Sequence, residues 1–268
     1  MIEQIVLIGA GRVASQLGPA LLQAGIVVKQ VYSRNPDKAA SLAEELNSRF
    51  TTELERIHAG ADVYILAVSD GAIEQVAASL SHFLPPSSRL VHTSGATGIE
   101  VLSDHFPCTG VFYPLQTFSA GRSVDWSAIP FCLEATRPEL LSELHMLAQK
   151  IGARSFDVDS EQRATLHVAA VFANNFSNYL FGIAQEIGQA KNLSFDLLRP
   201  LILETASKVQ EQPPQEAQTG PAVRHDQKTI ERHLDYLRQH HPQHVALYEL
   251  LTEGIGGNSK LDFFTEQM

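Results

Sequence analysis

Blocks of consecutive apolar residues alternate along the first part of the chain with segments whose apolar positions recur every three or four residues. Ile5-Val6-Leu7-Ile8 has no polar interruption, as expected of a strand covered on both faces. Residues 13–23 set Leu17, Leu21 and Leu22 at helical spacing and stop before Gly25, a residue suited to closing a helix. The same reading predicts strands over 27–33, 63–68, 89–93, 110–113, 131–134 and 155–158. It predicts helices over 36–46, 73–80 and 139–150, the last joining the final two strands. Strands alternating with helices make a parallel α/β sheet.

After residue 159 the strand pattern ends. Residues 161–191 form one long helical pattern with Ala169, Phe172, Phe176, Leu180, Ile183 and Ile187 at steps of three and four. A second helix over 195–210 contains Pro200, which kinks or starts it. Residues 212–221 read as a loop, and helices follow over 226–238 and 244–252. The prediction is an α/β domain over 1–159 followed by an all-α domain over 160–268.

With 44% hydrophobic and 19% charged residues, the 268-residue chain can bury a substantial core. The net charge is −10 and no run of Lys and Arg occurs, which argues against a nucleic-acid or anionic-membrane partner. No apolar stretch nears the roughly 20 residues of a membrane span. Met1-Ile2-Glu3-Gln4 lacks the basic start of a signal peptide, and Cys108 and Cys132 alone make no disulfide framework. A cytoplasmic protein is expected.

The first chemical signal is Gly9-Ala10-Gly11-Arg12-Val13-Ala14, between the first strand and the first helix. This is the G-x-G-x-x-A form of a dinucleotide-binding turn. Gly9 permits the tight turn, Gly11 lets backbone approach a pyrophosphate, and Ala14 lets helix and strand pack closely. The helix N-terminus then offers N–H groups and partial positive charge to the phosphates. An NAD site places an acid at the end of the second strand, for the ribose 2′-hydroxyl. Here that position reads Tyr32-Ser33-Arg34-Asn35. A hydroxyl and a guanidinium suit a 2′-phosphate, so NADP is the expected cofactor.

The 9–14 turn, Ser33-Arg34 and the long helix resemble the 6-phosphogluconate dehydrogenase-like superfamily, which includes ketopantoate reductases, pyrroline-carboxylate reductases and deazaflavin:NADP oxidoreductases. Four stretches are similar to a group of Rossmann-like NADP oxidoreductases within it: His92-Thr93-Ser94-Gly95-Ala96, Tyr113-Pro114-Leu115-Gln116-Thr117-Phe118, Asn174-Asn175-Phe176 and Thr219-Gly220-Pro221-Ala222-Val223-Arg224. The resemblance implies an N-terminal Rossmann NAD(P)-binding domain, an all-α C-terminal domain and a homodimer through the C-terminal helices. It departs at one point. Superfamily dehydrogenases often carry a catalytic Lys one turn before an Asn on the long helix, where this chain has Val171.

At 100° per residue, His167, Asn174 and Asn178 share one stripe, with Asn175 at its margin. The resemblance turns that face toward the nicotinamide; Asn174 and Asn178 equally suit capping of neighbouring helices or contact with another subunit. His167 is the candidate acid, though a hydrogen-bonded surface histidine fits the same pattern. Val68 and Ser69 follow the third strand at the nucleotide edge, where Ser69 reaches ribose or phosphate and Asp70 caps the next helix. His92, Thr93, Ser94 and Gly95 end another strand there, suited to a carboxylate or carbonyl, or else to satisfying their own turn. Gln116 orients a substrate carbonyl or bonds local backbone. Arg224 clamps a carboxylate or pairs with Asp226. His240, His241 and His244 lack a nearby acid or Cys and read as solvated rather than as a metal site. Two functions remain open: an NADP-dependent oxidoreductase acting on a small carbonyl or imine, and a non-catalytic NADP(H)-binding sensor or scaffold.

Overall fold

Residues 1–119, 121–122 and 124–257 are described by a computed structural model, in which the chain divides into two compact units, Met1–Ala173 and Asn174–Met268. The first unit holds eight strands: β1 Gln4–Ile8, β2 Val27–Tyr32, β3 Arg49–Thr51, β4 Val63–Leu66, β5 Arg89–His92, β6 Cys108–Pro114, β7 Pro130–Ala135 and β8 Arg154–Asp157. Its helices are α1 Arg12–Gln23, α2 Pro36–Glu45, α3 Asp70–Leu80, α4 Glu100–Ser103, α5 Pro138–Lys150 and α6 Ser160–Ala170. The strands form one sheet in the order β3-β2-β1-β4-β5-β6-β7-β8.

Along β1, Ile5 and Leu7 enter one core layer and Val6 and Ile8 the other. Both faces of the sheet are therefore covered, which is why the strand sequences read as unbroken apolar runs. The order reverses beside β1, between β2 and β4, and ligands of open parallel sheets bind at the carboxyl ends of strands flanking such a reversal. One pair departs from the parallel pattern: β7 runs antiparallel to β6. The only helical element described between them is the 3₁₀ turn Trp126–Ala128, so no crossover helix carries the chain back to the starting edge. The α5 crossover then makes β8 parallel to β7.

A π-turn over Val171–Phe176 follows α6 and leads into α7, Ser177–Gln189. The second unit continues with α8 Arg199–Glu211, α9 Pro214–Ala217, α10 Gln227–His240 and α11 Val245–Ile255. Pro200 lies in the first turn of α8 and starts it rather than kinking it. α10 buries Ile230, Leu234 and Leu237, and His233 Nδ1 meets Tyr248 Oη of α11 at 2.8 Å. In contrast, α7 and α8 bury no residue. Among the described residues no helix is long and apolar enough to cross a membrane.

Candidate functional site

At the end of β1, Gly9 has φ +117, and a Cβ there would lie 2.3 Å from the Ala67 carbonyl oxygen. Only glycine fits. Gly11 caps α1 without a side-chain hydrogen bond, and the first turn carries no acid. A Cβ on Gly11 would meet nothing nearer than the Ala67 oxygen at 4.0 Å, so its backbone stands open on that side. The first N–H groups of α1 lack intrahelical partners and form a ready anion site. α3 repeats the device. Its cap is Ser69, again with no side-chain hydrogen bond. The cap expected at Asp70 is thus one residue earlier, and Asp70 instead sits in the first turn, where its carboxylate complements the helix dipole.

Both helix starts open on a cleft of about 590 Å³. Gly9, Ala10, Gly11, Val68 and Ser69 line it beside Tyr32, Ser33, Arg34, Asn35 and Lys38, while Leu54, Val76 and Ser79 add a partly apolar wall. Among the described residues none that lines it is acidic. Arg12 and Val13 open α1 but do not line the cleft. Asn35 caps α2 by accepting the Lys38 N–H at 3.0 Å, and its own N–H donates to Ser33 Oγ at 3.2 Å. This bonding fixes the turn that carries Arg34. Lys38 is an addition that the sequence reading missed; its signal is the four-residue step from Arg34 across the start of a helix. The glycine cradle, the two helix starts without side-chain caps and the nearby cations fit a nicotinamide dinucleotide.

A second cluster stands at the carboxyl ends of β5 and β6. His92 is fully buried, and its Nδ1 accepts the Ser94 N–H at 3.1 Å. Burial, joined by the Arg163 guanidinium and opposed only by the Gly98 backbone, holds its pKa down to about 4. The ring is uncharged at neutral pH and braces the loop. Thr93 Oγ1 donates to the Leu66 carbonyl at 3.4 Å. Ser94 Oγ donates to Thr97 Oγ1 at 2.9 Å and accepts the N–H groups of Ala96 and Thr97. The Ser94 hydroxyl therefore satisfies its own turn, and the Thr93 hydroxyl ties the loop to β4. Over Gly95 stand Tyr113 and His167: a Cβ there would lie 2.6 Å from Tyr113 Cζ and 2.7 Å from His167 Nδ1. The close approach that Gly95 permits on that side is made by these two side chains.

Beneath the loop lies a residue the sequence reading passed over. Arg163, on α6 one turn before His167, is fully buried. It pairs with Glu134 of β7, donates to the Thr97 carbonyl at 2.7 Å and to Ser160 Oγ at 3.1 Å. Ser160 Oγ in turn donates to Glu134 at 2.8 Å and accepts the Ile99 N–H at 3.0 Å. A buried guanidinium is tolerable only with such partners, and here they tie the loop to the root of α6. Gln116 is exposed, and its Oε1 accepts the Thr117 N–H at 2.8 Å, the local alternative of its two readings.

The second unit carries the other candidates. Asn174, Asn175, Asn178 and Arg224 are all exposed. The uniform 100° step used to align His167 with the asparagines does not hold through the π-turn Val171–Phe176, whose bonds reach one residue further back. Asp226 caps α10 through Thr229, so its carboxylate is engaged there, and Arg224 acts on it through space. Of the histidines expected to be solvated without a nearby acid, only His240 is exposed. His241 is buried, and both it and His244 face Glu186 of α7, at 3.4 and 3.2 Å. The acid was invisible in sequence because it lies on a distant helix. Among the described residues no group of three or more His, Cys, Asp or Glu is placed to hold a metal ion.

Residues 4–91 match the family described as NADP oxidoreductase, coenzyme F420-dependent, and residues 129–255 match a domain of unknown function, DUF2520. Among solved structures, a putative NADP oxidoreductase from Bacteroides fragilis is 41% identical, covering 96% of this chain and 98% of its own, with a TM-score of 0.89. A Thermotoga maritima protein shares 23% identity over 94% of this chain and 96% of its own, with a TM-score of 0.70. A pyrroline-5-carboxylate reductase from Coxiella burnetii shares 18% over 95% and 99%, with a TM-score of 0.60. These last two likenesses are of fold. No curated protein matches the chain. Given 41% identity over nearly its whole length, the chain belongs to the same NADP oxidoreductase family as the Bacteroides fragilis protein.

Proposed function

We propose that the protein is an NADP-dependent oxidoreductase moving hydride between the nicotinamide and a small carbonyl or imine substrate. The observation that carries this reading is the cleft wall at the end of β2, where Ser33, Arg34 and Lys38 stand together and no carboxylate lines the space. A 2′-phosphate gains charge-assisted hydrogen bonds there, and no acid among the residues lining the cleft repels it. The pyrophosphate belongs over Gly11 and the start of α1. The nicotinamide supplies the hydride chemistry, and the protein supplies binding, orientation and a proton route. His167 is the proton-side candidate. His92 is a positioning group, since it is buried and uncharged. Asn174, Asn175, Asn178 and Arg224 are the second unit's candidates for substrate contact. Val171 in place of a lysine favours imines, whose reduction needs little help from a general acid.

Calorimetric titration with NADPH and NADH tests the reading. NADPH binds more tightly, and Arg34→Ala weakens it by about 10- to 100-fold, the worth of one charged hydrogen bond, with little effect on NADH. Equal loss for both cofactors removes Arg34 from the role. The Thr93 and Ser94 hydroxyls, already satisfied within the protein, favour a second reading as an NADP(H)-binding sensor. Tight NADPH binding with no oxidation by a panel of imines, ketones and aldehydes supports that alternative.

A further inference from the structure

We propose that Tyr113 is a positioning residue for His167, holding the ring in the tautomer that carries its proton on Nε2, so that an N–H donor is presented to the heteroatom of a bound carbonyl or imine. The identity of that acceptor rests on the oxidoreductase reading above; the tautomer does not.

The argument starts from one contact. Tyr113 Oη lies 3.3 Å from His167 Nδ1, with the rings edge to face at 6.3 Å between centroids. A phenol has one proton to donate, and among the described residues Nδ1 is the acceptor in reach of this one. The proton is present to be donated. Burial raises the Tyr113 pKa above the ordinary phenol value, with Cys132 and the Asp70 carboxylate adding to it and Arg163 opposing. An uncharged imidazole that accepts at Nδ1 carries its own proton on Nε2. An uncharged Nε2–H can polarise a carbonyl without a full positive charge in the site.

Three features hold the pair in register. Tyr113 is fixed on β6, paired opposite Cys132 of β7. Arg163, one helical turn before His167, locks the root of α6 to Glu134 and the Thr97 carbonyl. Gly95 supplies the space, because any side chain there would strike both rings. A contact that only filled space would need no particular tautomer.

The test is two-bond ¹H–¹⁵N correlation spectroscopy on the full-length protein labelled at histidine nitrogens, with wild type and variants recorded at one mildly alkaline pH. His167→Gln identifies the signals by their loss. The wild type is expected to show His167 with Nδ1 unprotonated and Nε2 protonated. Tyr113→Phe, which keeps the ring and removes the hydroxyl, moves both nitrogen shifts toward the averaged values of a mixed tautomer. Gly95→Ala, which forces the rings apart, does the same by a separate route. A wild-type ring protonated on Nδ1 overturns the proposal without reference to any variant, and so does an unchanged tautomer in folded Tyr113→Phe. NADPH titration of the same samples keeps the two readings apart. Failure of the wild type to bind NADPH sinks the oxidoreductase reading while leaving the tautomer result standing.

Discussion

His92 takes up a proton near pH 6.5 in the unfolded chain but only near pH 4 in the folded one. Between those values the unfolded state binds more protons, so the sign is that stability is complete above the window and falls as pH drops through it. The loss reaches about 3 kcal/mol for a shift of this size. His92→Asn keeps a hydrogen-bond acceptor near the Ser94 N–H but does not titrate. Urea denaturation at a series of pH values between 4 and 6.5 should show a flatter slope for this variant than for the wild type. At this scale the sequence is legible where a residue's demand is local. Gly9 is needed by its own turn, and Arg34 stands beside the end of its own strand. Tyr113 acquires its meaning from His167, 54 residues away, and Arg163 from Glu134, 29 residues away. No spacing rule reaches across such separations.

The elements tell a similar story. Long, periodic segments were readable, and those whose form depends on neighbours were not. β3 is three residues long with only Thr51 buried, so it has no alternation to detect. The direction of β7 depends on the missing crossover rather than on its own residues. The π-turn interrupts an apolar periodicity that looked continuous. The root of α6 carries a prediction. Arg163→Ala leaves Glu134 without its partner and the Thr97 carbonyl without its donor. Removing one member of a buried ion pair costs about 3–5 kcal/mol, read as a lower urea midpoint. The double change Arg163→Met with Glu134→Leu, which removes both charges, should recover a large part of the loss.

For the whole molecule, the telling quantity is apolar surface left in water. Tyr179, Leu197, Leu201 and Leu203 are each more than three-fifths exposed, on or beside helices that bury nothing. Large apolar side chains left in water on successive helices point to association, and a homodimer through α7 and α8 is the expected assembly. Light scattering at micromolar concentration should give twice the mass of one chain. The pair Tyr179→Glu and Leu201→Glu should return it to one, and a wild-type monomer refutes the expectation. The buried guanidinium at residue 163 also bears on how the first unit breathes. Arg163 and Ser160 hold the Thr97 carbonyl and the Ile99 amide at once, so the loop and the helix root cannot come loose separately. In deuterated water, the amide protons of Ile99 and Arg163 should exchange through one shared opening event, and a dinucleotide that quiets one should slow the other equally.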